Sequence, residues 1–76
     1  MEDFIKNFAA QWEDTEEDVF APLCVFRELD EWSSLIGLAI LNMIVKKYGV
    51  KVSPAEFKLC ITVQDVYNMV QSKLNE

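Results

Sequence analysis

The chain has no histidine, two cysteines, two glycines and two prolines, and only 7 basic residues against 13 acidic ones. Each shortage argues against a class of function. Without histidine, and with no basic residue beside them in sequence, Ser33 and Ser34 have no local base to activate them, so self-contained hydrolase chemistry and enzymatic activity in general are not expected. Cys24 and Cys60 lack CxxC spacing, so neither a zinc site nor a redox pair is expected from one chain. The acidic run 13–18 lacks the alternating oxygen ligands and central glycine of a calcium loop, and reads as solvated charge. A net charge of −6 repels the phosphate backbone, which argues against nucleic acid as a partner. The one long apolar run, 35–45, falls short of the roughly 20 residues that span a bilayer. Met1-Glu2-Asp3 has the wrong sign for a secretory start, so the expectation is a cytoplasmic monomer with ordinary thiols.

What remains is apolar and acidic. Hydrophobic residues make up 51% of the 76 and aromatics 12%, enough for one domain over residues 1–76 to close a core without a metal or a disulfide. In the segment 3–12, Phe4, Ile5, Phe8, Ala9 and Trp12 recur at the three- and four-residue spacing of one helix face, which predicts a first amphipathic helix. The like charges of 13–18 then break the pattern. From 19 to 32 there is no sustained period, but Val19, Phe20, Leu23, Val25, Phe26, Leu29 and Trp32 are expected to make apolar contacts, which predicts a long loop pinned to the core. Ten of the 13 acids precede Trp32 and most lysines follow it, so a basic protein surface is the natural complement of the first half.

A strongly apolar second helix is predicted from Ser34-Leu35 to Tyr48, stopped by Gly49. On its wheel Ile36, Ile40, Met43 and Ile44 form the buried side, and Leu35, Ala39, Asn42 and Lys46 form a stripe facing water. Ser53-Pro54-Ala55-Glu56 combines an N-cap serine, a first-turn proline and a capping-box glutamate, predicting a short third helix through about Leu59. Thr62-Val63-Gln64-Asp65 reads as another capped start, and Val63, Val66, Tyr67, Val70 and Leu74 line a fourth helix. The fold class expected is all-α, a four-helix bundle with a long connection between helices 1 and 2 and a short third helix.

The chemistry converges on Ser34, where the long loop meets the N-terminus of the second helix. Backbone N–H groups there lack intrahelical partners and the helix dipole is positive, so a phosphate ester on that hydroxyl would be favoured electrostatically. Serine at such a position also serves as a plain helix cap, and Ser33 and Ser34 are both candidates for that task.

Ser33-Ser34-Leu35 at the start of an apolar helix, Tyr48-Gly49-Val50 at its end, the Ser53-Pro54 start and Ile61-Thr62-Val63-Gln64-Asp65 together resemble the acyl carrier protein family. The resemblance runs through most of the chain. It departs from the family at Ser33, where the family has aspartate, and at Glu31-Trp32, where small residues usually stand. It implies a four-helix carrier fold with 4′-phosphopantetheine attached covalently to Ser34 by a phosphopantetheinyl transferase. It also implies acyl-loading, condensing and acyl-transfer enzymes as partners, in fatty-acid, polyketide or related biosynthesis. Leu35 and Ala39 on the exposed stripe, with Glu28, Asp30 and Glu31 of the approach loop, would be the partner-binding residues. Two alternatives stand beside it: a non-modified helical interaction module in which Ser34 only caps, and a carrier of amino acids, whose Gly-Gly before the serine is missing here.

Overall fold

The computed structural model describes residues 1–75. Four α-helices follow one another, α1 (Glu2–Ala9), α2 (Ser34–Tyr48), α3 (Pro54–Lys58) and α4 (Val63–Leu74), with no strand among the described residues. The all-α class, the long first connection and the short third helix agree with the sequence expectation.

The first helix closes earlier than its apolar spacing suggests. Gln11 donates to the Phe8 carbonyl at 3.2 Å and Trp12 to that of Ala9 at 3.0 Å, so the last turn tightens from α toward 3₁₀ geometry. Trp12 leaves the helix but keeps its place inside, against Phe8, Phe20 and Trp32. The connection 10–33 is likewise more ordered than a loop, because single 3₁₀ turns form at Glu17–Val19 and Phe26–Glu28. Each turn sets up a fully buried phenylalanine, Phe20 just after the first and Phe26 at the start of the second, whereas Val19 and Leu23, also expected to pin the loop, are exposed.

The core is a chain of aromatic rings. Phe8 meets Phe20 at 5.6 Å and Phe26 at 5.2 Å, and Phe26 continues to Trp32 and to Phe57, each at 5.6 Å. Phe4 closes the other end against Tyr48 and Tyr67, at 5.7 and 5.4 Å. Edge-to-face and tilted ring pairs of this kind add about 1 kcal/mol each beyond the area they bury. Ile40, Met43 and Ile44 of α2 and Val63, Val66 and Val70 of α4 complete the interior.

Helix ends are stated locally. Ser53 and Thr62 each head a reciprocal capping box, with Glu56 and Asp65 respectively. Gly49 ends α2 at φ 69°, a left-handed conformation that a Cβ would strain, and its N–H donates to the Val45 carbonyl at 3.0 Å. The Lys73–Glu56 ion pair at 2.8 Å then ties α4 to α3.

Candidate functional site

The N-terminus of α2 carries the site that the sequence singles out. Ser33 is extended, at φ −154° and ψ 166°, and its Oγ accepts the N–H of Ile36 at 3.4 Å. Capping therefore belongs to Ser33. Ser34 is the first helical residue, exposed, and its hydroxyl makes no hydrogen bond among the described residues. A free hydroxyl at the positive end of a 15-residue helix is open to modification, and a phosphate placed there would meet a favourable dipole.

Two recesses flank this point. On one side lies a groove of about 420 Å³ between α2 and α3, beginning at Ser34. Leu38 and Leu41, four and seven residues on, share the helix face of Ser34 and form one wall, with Pro54 opposite. Trp32 and Phe57 make its floor. Gly37 allows this, since a Cβ there would stand 3.0 Å from Trp32 Cη2 and 3.6 Å from Phe57 Cε2. Arg27 and Lys58 complete the lining, and no carboxylate takes part.

The other side is acidic. Leu35, Ile36, Ala39 and Ser33 line a cleft with Gln11, Glu13, Asp14 and Glu31. Asp14, Glu16, Asp30 and Glu31 line a neighbouring hollow of about 620 Å³. Leu35 is 77% exposed at the cleft and Ala39 is half-buried. Glu28 and Asp30 are exposed, with no ion pair or hydrogen bond among the described residues, and Glu28 lies outside these recesses. Leu35, Ala39 and Glu31 are thus brought together, whereas Ser34 opens on the opposite groove.

Glu31 has a further task. Its carboxylate accepts the N–H groups of Glu13, Asp14 and Thr15 at 2.5, 3.0 and 2.8 Å and the Thr15 hydroxyl at 2.7 Å. The Thr15 hydroxyl, joined by those backbone donors, holds the Glu31 carboxyl below the usual range against the opposing effect of desolvation. The residue therefore folds the acidic loop back toward α2.

Arg27, which the sequence did not single out, does the reverse at the other groove. Its guanidinium donates to the carbonyl of Cys60, and to that of Phe57 at 2.6 Å. It lies 4.9 Å from the ring centroids of Phe26 and Phe57 and 5.6 Å from that of Trp32. Lys58 also escaped notice, as did the groove wall of Leu38 and Leu41. The 34, 38, 41 spacing carried the signal for that wall, but the role of Arg27 depends on hydrogen bonds across 30 and 33 residues.

No family model matches the chain, and no curated protein and no solved structure matches it. Among the described residues, no helix is long and apolar enough to cross a membrane.

Proposed function

We propose that the chain is an acyl carrier protein, with Ser34 as the attachment point of 4′-phosphopantetheine. The observation that carries this is the division of labour at the start of α2: Ser33 caps the helix, so the Ser34 hydroxyl is spare, exposed and at the positive helix end. The surroundings fit an arm of that chemistry. An open, largely apolar groove begins at the hydroxyl, and Arg27 and Lys58 supply positive charge along it. When attached, the arm would supply a terminal thiol for carrying acyl groups as thioesters. The chain's own residues would hold and present it, and would catalyse nothing.

Partner enzymes would dock on the other side of the attachment point, where Leu35 and Ala39 meet the acids of the approach loop. Glu28 and Asp30 offer free carboxylates to a basic surface, while Glu31 shapes the loop that presents them. The setting would be a fatty-acid, polyketide or related pathway in the cytoplasm.

Intact mass after incubation with coenzyme A and a phosphopantetheinyl transferase tests the proposal. A gain of one phosphopantetheine on the unsubstituted chain, absent in Ser34→Ala, is expected. If neither a broad-specificity transferase nor those of the source organism add the group, the chain is better read as a non-modified interaction module.

A further inference from the structure

We infer that Thr15 is a phosphorylation site for an acid-directed protein kinase, and that a phosphate there releases the acidic loop from Glu31. The inference concerns the acidic side of α2 and does not require Ser34 to be modified.

The surroundings of Thr15 supply the recognition. Glu13 and Asp14 precede it, Glu16, Glu17 and Asp18 follow it, all five are exposed, and no lysine or arginine stands between Lys6 and Arg27. A kinase whose peptide cleft is basic would meet carboxylates on both sides of this hydroxyl. Ser53 and Thr62 also have an acid three residues on, but neither has one within two residues, and in each case that acid is committed to a reciprocal capping box. Thr15 lies in no helix, and lines the hollow of about 620 Å³ with Asp14, Glu16 and Glu31. Among the described residues, the hydrogen bonds of 13–15 are those to Glu31 alone. Once that clasp opens, the segment can extend into a cleft with no loss of regular structure.

The clasp gives the modification its consequence. The Thr15 hydroxyl donates to Glu31 Oε1 at 2.7 Å. Phosphoryl transfer from MgATP forms a bond between Thr15 Oγ1 and the γ-phosphorus, breaks that phosphorus's bond to the bridging oxygen, releases ADP and passes the hydroxyl proton to the kinase's base. The product has lost its donor to Glu31 and carries a charge of about −1.5 to −2 beside that carboxylate. Repulsion then displaces Glu31, and the phosphate oxygens can accept the N–H groups of 13–15 in its place.

Intact mass and fragment sequencing after incubation with MgATP and an acid-directed kinase of the casein kinase type test this on the chain without phosphopantetheine. One phosphate on Thr15 is expected, and none in Thr15→Val. Asp18→Asn should slow the addition about tenfold, and Glu31→Ala should speed it about threefold because the hydroxyl is then unclasped. Phosphorylation should lower the melting temperature of the unsubstituted chain by about 5 °C and barely move that of Glu31→Ala, which has no clasp to lose. Should Glu31→Ala misfold, Glu31→Gln replaces it, keeping an acceptor without the charge, and its melting shift should be about half as large. No phosphate on the folded chain, a phosphate on Ser53 or Thr62 instead, a rate indifferent to Asp18→Asn, or an equal melting shift whatever stands at position 31 would each overturn the inference. Phosphate and phosphopantetheine add different masses to different residues, so neither result decides the other.

Discussion

Two recesses meet at the start of α2, and they are built by opposite means from one short stretch of chain. Arg27 and Glu31 stand four residues apart and each ties the approach loop down by hydrogen bonds to backbone. Arg27 reaches α3 and donates to carbonyls. Glu31 reaches the 13–15 loop and accepts from N–H groups. The first lies among aromatic rings, the second at a solvated rim. The difference teaches that one side chain's charge can do two things at once: each anchor holds the loop and also contributes its sign to the recess it borders.

The largest effect should come from removing what the two sides share. Phe26 is fully buried and touches Phe8, Trp32 and Phe57, so Phe26→Ala should cost about 3–5 kcal/mol. In a domain whose whole stability is of order 5–15 kcal/mol, that leaves a marginal fold, which urea unfolding would report. Retention of full stability would mean that the aromatic chain does not join the two halves.

Arg27→Met sharpens the comparison. It keeps an apolar side chain on the rings but strands the Cys60 carbonyl and leaves that of Phe57 to backbone N–H donors alone, and should cost about 2 kcal/mol, with α3 amides losing hydrogen-exchange protection before those of α1. Uniform loss of protection would break the assignment of Arg27 to one side.

Glu31→Ala should disturb the other side alone, and its signature is pH dependence. A folded carboxyl held below its ordinary value of 4.5 contributes stability that is present above that value and lost as pH falls through the lowered, folded one. The unsubstituted chain should therefore show acid destabilisation below about pH 4.5 that Glu31→Ala partly removes, together with a lower melting temperature at neutral pH. Glu56 and Asp65 keep a residual acid dependence, because the Lys73 side chain and the Thr62 N–H respectively are the chief causes that lower theirs. Identical acid profiles for the two proteins would contradict the clasp.

Gly37→Ala should have a smaller effect. Its Cβ meets Trp32 at 3.0 Å, and a shift of the ring by a few tenths of an ångström should cost about 1 kcal/mol and change the near-ultraviolet circular dichroism while the far-ultraviolet spectrum stays constant. Thiol labelling should separate the sides least. Burial pushes both Cys24 and Cys60 up, so both should react slowly at pH 8, and fast labelling of either would show its surroundings to be looser than described.

The elements were legible in the sequence because their signals are local. Apolar spacing, Ser53-Pro54, Thr62 with Asp65, and Gly49 each act within a turn or two of themselves. The end of α1 was not, since the tightening at Gln11–Trp12 serves Trp12's contacts with Phe20 and Trp32, which lie far along the chain. At the site, position offered Ser34 only as one of two candidate caps and the family resemblance made it the expected attachment point; that Ser33 takes the cap was not legible, because both serines suit it. Leu38 and Val45, both in the apolar run, are exposed. A small core accepts only Gly37, Ile40, Met43 and Ile44 from a helix this apolar, and Leu38 is left to the groove. Arg27 looked like an ordinary loop charge and Glu31 like a docking acid only, and neither's anchoring role was legible, since their partners are 30 and 33, and 16 to 18, residues away.

The central claim is that adjacent serines divide capping from attachment, and paired single substitutions test it most directly. After incubation with coenzyme A and a transferase that modifies the unsubstituted chain, Ser33→Ala should still gain one phosphopantetheine by intact mass while losing about 1 kcal/mol of stability. Ser34→Ala should gain nothing and melt as the unsubstituted chain does. Modification that survives Ser34→Ala, or a loss of stability confined to Ser34→Ala, would contradict the account.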